Sequence, residues 1–141
     1  MKTLPLLICL FLFSCRDNPS SLRTPFENIV VLKIGHNLQI GSENLEIGFD
    51  DVPDDSRCSI GSVCVWPGRA EIRLWLLRVQ SDSTFVTLTL SGFVTRDDTT
   101  GHISKDTLGY RLSLVQLDPY PVLDRPQPIS SYEATVKISK L

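Results

Sequence analysis

Phe49-Asp50-Asp51-Val52-Pro53-Asp54-Asp55-Ser56-Arg57-Cys58-Ser59-Ile60-Gly61-Ser62-Val63-Cys64-Val65-Trp66-Pro67-Gly68 is the stretch around which this chain is organised. It gathers two cysteines, one of the two tryptophans, four aspartates and an arginine between two runs of apolar alternation. Five residues separate Cys58 from Cys64, which does not fit the C-x-x-C spacing of redox and zinc motifs. The stretch reads as a disulfide-clipped loop that fixes how one strand leaves the domain and the next enters. In so short a closed loop the chain-entropy contribution is only about 2 kcal/mol. The expected role is therefore geometric: Ser59 to Ser62 becomes a tight turn and Val65-Trp66 is set at a fixed depth. Trp66 is expected as a buried indole packed on sulfur, with a ligand platform as the competing reading. Asp55 and Arg57 are expected to hold the loop through charge-assisted hydrogen bonds, and Gly68 to close it. The alternative use of Asp50, Asp51, Asp54 and Asp55 is a calcium site, since hard cations take several carboxylate oxygens. Their spacing does not match an EF-hand loop, and no metal ligand is assigned.

Working outward, the recurring signal on both sides is period two, with no sustained helical stripe. Val30, Leu32 and Ile34 alternate with Val31 and Lys33, and a short piece covers Leu38 to Ile40. Leu45, Ile47 and Phe49 alternate with Glu46, Gly48 and Asp50. Ala70, Ile72, Leu74 and Leu76 oppose Glu71, Arg73 and Trp75. Val86, Leu88 and Leu90 form the next run, then Tyr110, Leu112 and Leu114, and last Tyr132, Ala134, Val136 and Ile138. One apolar and one polar face is the pattern of antiparallel sheets wetted on one side. About seven such strands without intervening helices predict a single antiparallel β-sandwich, immunoglobulin-like or a related Greek key, with a closed barrel as the alternative. The alternation slips at Leu76-Leu77 and at Leu114-Val115, where bulges or sheet-switching bends are expected. Asp118-Pro119-Tyr120-Pro121, followed by Pro126 and Pro128, reads as a rigid extended crossing between the last two strands, expected to connect the two sheets with Tyr120 packed against the sandwich end. Tyr120 and the outward-facing Trp75 are the candidates for a binding surface toward a sugar or peptide.

The amino terminus says where the chain goes. After Met1-Lys2, the ten residues Leu4 to Phe13 carry no charge. A helix crossing a bilayer needs about 20 apolar residues, so the run fits a signal-peptide core. Leu12-Phe13-Ser14-Cys15 resembles the lipobox of bacterial lipoproteins, in which the cysteine thiol is diacylated and the leader is cut just before it. The resemblance implies a leader over 1–14, a lipidated tether over 15–25 attached through Cys15, and a folded domain over 26–141. More than one acyl chain, at about 0.8 kcal/mol per buried CH₂, holds a protein stably in a bilayer where one does not. Export to an oxidising compartment makes a Cys58–Cys64 disulfide the natural state.

Asp55 to Ala70, D-S-R-C-S-I-G-S-V-C-V-W-P-G-R-A, resembles a D-S-R-C-P-x-G-x-x-C-x-W-x-G-x-A signature of small exported bacterial proteins and lipoproteins that lack an assigned activity. The Leu117-Asp118-Pro119-Tyr120-Pro121 element and the closing strand from Tyr132 resemble the same family. Ser59 stands where that pattern has proline, and Pro67 where it has a small residue. The resemblance implies an architecture and a place in the cell envelope, and no substrate.

Composition removes other classes. A formal charge of -2 and no adjacent pair of basic residues leave counterion release nothing to work with, so nucleic acid is not an expected partner. His36 and His102 lie in turn-like contexts, no G-x-S-x-G occurs, and no glycine-rich loop opens a helix. No catalytic residue or cofactor is assigned, and an enzyme is not expected. The expected partners are the lipid bilayer, through acylated Cys15, and an envelope protein or a glycan. The chain thus reads as a lipid-anchored module of the bacterial cell envelope, on a periplasmic or outer-membrane face, that binds or supports. The alternative is a small surface-attached hydrolase or calcium-dependent enzyme built on Asp50 to Asp55.

Overall fold

The computed structural model describes residues 27–41, 44–78, 82–98 and 101–141. The expected leader over 1–14 and the expected tether over 15–25, with Cys15, lie outside the described residues. The described chain forms eight strands in two four-stranded antiparallel sheets. They are β1 (Glu27–Lys33), β2 (Asn37–Ile40), β3 (Leu45–Asp55), β4 (Arg69–Arg78), β5 (Ser83–Ser91), β6 (Ser104–Thr107), β7 (Tyr110–Asp118) and β8 (Glu133–Lys140). One sheet runs β1-β8-β7-β6 and the other β2-β3-β4-β5, so the all-β sandwich follows from the alternation as expected. The connectivity does not follow the Greek-key expectation. Within each sheet β2 to β5 and β6 to β8 lie side by side in chain order, β1 closes its sheet against β8, and the described chain passes between sheets only at β1–β2 and β5–β6. Short turns between consecutive runs favour this up-and-down path, because adjacent strands pair with little loop to close. The additional strand, β6, is Ser-Lys-Asp-Thr and carries no apolar alternation. It is held by backbone pairing with Tyr110 to Ser113 and by Arg111, whose guanidinium donates to Asp106 at 2.8 and 2.9 Å.

The core lies between the two inner faces. Leu45, Ile47, Phe49, Ile72, Leu74, Leu76 and Leu88 meet Leu32, Tyr110, Leu112, Leu114, Leu117, Val136 and Ile138, all buried. The chain from Arg16 contains every described strand and every described core residue. The slip at Leu114-Val115 is a bulge, for the β7–β8 register shifts between Leu114 and Gln116. The slip at Leu76-Leu77 is not one, since β4 pairs without a shift through both residues and Leu77 simply turns outward. Instead β3 is irregular between Phe49 and Asp51 and again between Asp51 and Asp54. Pro53 falls in the second irregularity, where the donor it lacks is not required by a ladder. Among the described residues, no helix is long and apolar enough to cross a membrane.

The register fixes which ends coincide. Glu27, Tyr110 and Lys140 share one end of the first sheet, and Lys33, Asp118 and Glu133 the other. Arg57, just past β3, donates to the carbonyl of Leu117, so the disulfide loop sits beyond the second end. The described chain therefore starts about 20 Å from that end, the rise of roughly six strand residues. The Pro-rich 119–128 segment joins β7 and β8 within one sheet, rather than crossing between sheets, and folds over the same end.

Candidate functional site

Cys58 and Cys64 are joined, with Cα atoms 6.0 Å apart. The turn between them closes through Ser62 N–H donating to Ser59 O at 3.0 Å, with Gly61 at φ 93°. The loop is sewn to the sandwich by its backbone: Ser56 N–H donates to Arg69 O, Cys58 N–H to Pro67 O, and Gly92 N–H to Gly68 O. Gly68 is required twice over. Its φ of 68° suits glycine, and a Cβ there would overlap the Ser56 carbonyl oxygen. Gly92 is pressed as closely against the Pro67 carbonyl, which locks the β5 exit onto the loop.

Arg57 is the joint of this end. Its side chain is almost wholly buried and bidentate, Nε to Asp55 Oδ1 at 2.7 Å and a terminal nitrogen to Oδ2 at 2.7 Å. The remaining donors reach Leu117 O at 2.7 Å and Pro119 O at 3.2 Å, across the gap to the other sheet. Tyr120 stacks over the guanidinium, 4.6 Å from its ring centroid, and donates its hydroxyl to Gly92 O at 2.8 Å. Tyr132 donates its own hydroxyl to Asp55 at 3.0 Å. Burial, reinforced by that hydrogen bond to a carboxylate, pushes the Tyr132 phenol up to about 12. The expected Asp55–Arg57 pairing is thus present, and Tyr132 completes it.

Against this frame lies a cleft of about 570 Å³. Leu90, Val94, Val115 and Leu117 give it apolar walls, and Arg57 and Tyr120 close one side. Ile60 and Phe93, both exposed, stand at its rim. The cleft exists because β6 is short. It pairs β7 only as far as Ser113, so the sandwich is open between the end of β5 and the second half of β7.

Trp66 differs from expectation: it is 73% exposed, and Val63 and Val65 beside it are exposed too. The loop projects past the ends of both sheets, so no opposite layer exists to cover the indole. Trp75 and Tyr120 do not form one surface. Tyr120 lines the cleft, while Trp75 lies on the outer face of β4, paired with Gly48 and Phe85. There the indole lies across Gly48, where a Cβ would overlap the ring. Of the four aspartates, Asp50 and Asp51 face Arg73, Asp54 faces Arg69, and Asp55 faces Arg57. Cations separate these carboxylates, and among the described residues no three His, Cys, Asp or Glu converge as ligands. His36 touches Ile34 O, and His102 sits between Thr95 O and Leu114 O.

The 92–96 segment, which forms one wall of the cleft, carries no motif. The only hint in sequence is Gly92-Phe93, a glycine ending an apolar run with an aromatic left outside it. Compared with protein-family models, with curated proteins and with solved structures, the chain matches none.

Proposed function

We propose that this protein is a lipid-anchored module of the bacterial cell envelope that holds an apolar ligand in the cleft at its disulfide end. The observation that carries the reading is the cleft: apolar walls of about 570 Å³, within the size range of ligand sites, framed by a disulfide, two close-approach glycines and a buried arginine. Ligand sites built on locked elements lose little entropy on binding. The Leu12-Phe13-Ser14-Cys15 stretch supports the anchor. The entry of the chain at Glu27, at the far end, supports a cleft directed away from the tether.

The cleft is tested with N-phenyl-1-naphthylamine and the chain from Arg16 onward. Saturable, one-to-one fluorescence enhancement is expected, weakened at least tenfold by Phe93→Asp or Ile60→Asp. Val31→Asp, at an exposed position on the outer face of the β1-β8-β7-β6 sheet and away from the cleft, should leave it unchanged. Equal loss in all three variants, or no saturation, contradicts the reading. The anchor is tested separately: Cys15→Ala should release the protein from membranes on fractionation, and retention there overturns it.

A further inference from the structure

We infer that the cleft's occupant is an extended peptide segment of a partner protein, added as a strand to the free edge of β5. This rests on the binding reading above and names the class of ligand. β5 ends its sheet, so one side of Ser83 to Ser91 has no strand hydrogen-bonded to it. Exposed edges of natural sheets are usually blunted by charge, proline or shortness. This one is nine residues of Ser-Thr-Phe-Val-Thr-Leu-Thr-Leu-Ser, with neither a charge nor a proline. Among the described residues, no backbone N–H from outside the sheet reaches a carbonyl of β5 between Thr84 and Leu90. The facing stretch of β7 is different: Leu114 O meets His102, and Leu117 O accepts from Arg57. One side of the opening is therefore capped and the other left as a template.

The same edge runs into the cleft at Leu90 and Ser91. A strand laid on it would send alternate side chains inward against Val115 and Leu117, so backbone pairing supplies affinity and the pocket supplies selection. Arg96 lines the cleft with no ion-pair partner among the described residues, and fits a carboxylate on the incoming segment. Two nearer occupants fit poorly. The chain's own Arg16 to Pro25 carries one large apolar side chain and two prolines, and the chain enters at the opposite end. A second copy paired through β5 about a two-fold axis would be turned end for end, which sends the two tethers in opposite directions.

The probe is a seven-residue peptide alternating threonine and valine, ending in aspartate with a free carboxylate. It is titrated by fluorescence anisotropy into the chain from Arg16, alongside the same peptide N-methylated at every second amide. The proposal expects saturable binding that N-methylation weakens at least tenfold, with slowed amide exchange within Thr84 to Leu90. Arg96→Glu should weaken the acid-ended peptide several-fold and leave an amide-ended valine version unaffected. Equal binding of the N-methylated peptide overturns strand addition. So does absence of peptide binding while N-phenyl-1-naphthylamine still titrates, and in both cases the cleft reading stands. Loss of both ligands overturns both. Concentration-dependent dimerisation that protects β5 without peptide overturns the choice of partner.

Discussion

Replacing Arg57 tests the joint that holds the disulfide end. Arg57 spends its donors on Asp55, Leu117 O and Pro119 O, and its side chain is 2% exposed against 6% for Asp55. Arg57→Met keeps most of the stem's volume but leaves a buried carboxylate with Tyr132 as its remaining side-chain donor, and strips two carbonyls of a partner. Breaking a buried pair from one side costs about 3–5 kcal/mol, far more than an exposed pair is worth. For a domain this size each kcal/mol moves Tm by about 4 °C, so a drop of roughly 12–20 °C is expected. Asp55→Asn should cost less, because Arg57 keeps its carbonyls. The double variant should lie well short of additive, with a coupling of about 2–3 kcal/mol. Arg57→Lys should rescue little, since an ammonium cannot reproduce the fork. Urea unfolding of the parent and the four variants measures this. A cost below about 1 kcal/mol for Arg57→Met, or strict additivity, would refute the reasoning.

Other outcomes follow from the same structure. Replacing Cys58 and Cys64 together by serine should cost about 2 kcal/mol in chemical unfolding with the core's near-ultraviolet signature retained, because the closed loop is short and exposed. Gly48→Ala should destabilise by about 1–3 kcal/mol and red-shift Trp75 emission as the indole is lifted from the sheet. Pairing it with Trp75→Ala should remove most of that added cost. Tyr132 is 8% exposed and its phenol is raised from 10.0 to about 12, so the unfolded chain loses that proton first. Its contribution is complete below pH 10 and is lost as pH rises toward 12, about 2–3 kcal/mol in all. Tyr132→Phe should therefore show a flatter fall in stability over that interval than the parent.

The inner faces were legible because burial on one side leaves period two in the chain. Leu45-Ile47-Phe49 and Ala134-Val136-Ile138 point inward as the alternation requires. β6 was not, since Ser104 to Thr107 buries no apolar side chain and is held by its ladder and an ion pair, which leave no pattern. The Asp55-x-Arg57 pairing could be read from adjacency and charge. Its contacts to Leu117 O and Pro119 O could not, for they depend on residues about sixty positions away. Trp66 misled because a tryptophan beside a disulfide suggests a core, whereas its exposure depends on where the sheets end. Connectivity was misjudged for a related reason. Strand runs state which faces are buried, not the order in which the strands lie side by side. The cleft was invisible for the most physical cause: it is a gap, created by the shortness of β6 and by Gly92 closing on Pro67.

The claim on which the function rests is that an apolar ligand enters between the end of β5 and the second half of β7. Methyl-resolved carbon–proton spectra of the chain from Arg16, titrated with N-phenyl-1-naphthylamine, test it most directly. The methyl signals of Leu90, Val94, Val115 and Leu117 should move together along one saturation curve, while those of Ile29 and Val31 stay still. Shifts centred on Ile29 and Val31, or spread evenly over every exposed methyl, would contradict it.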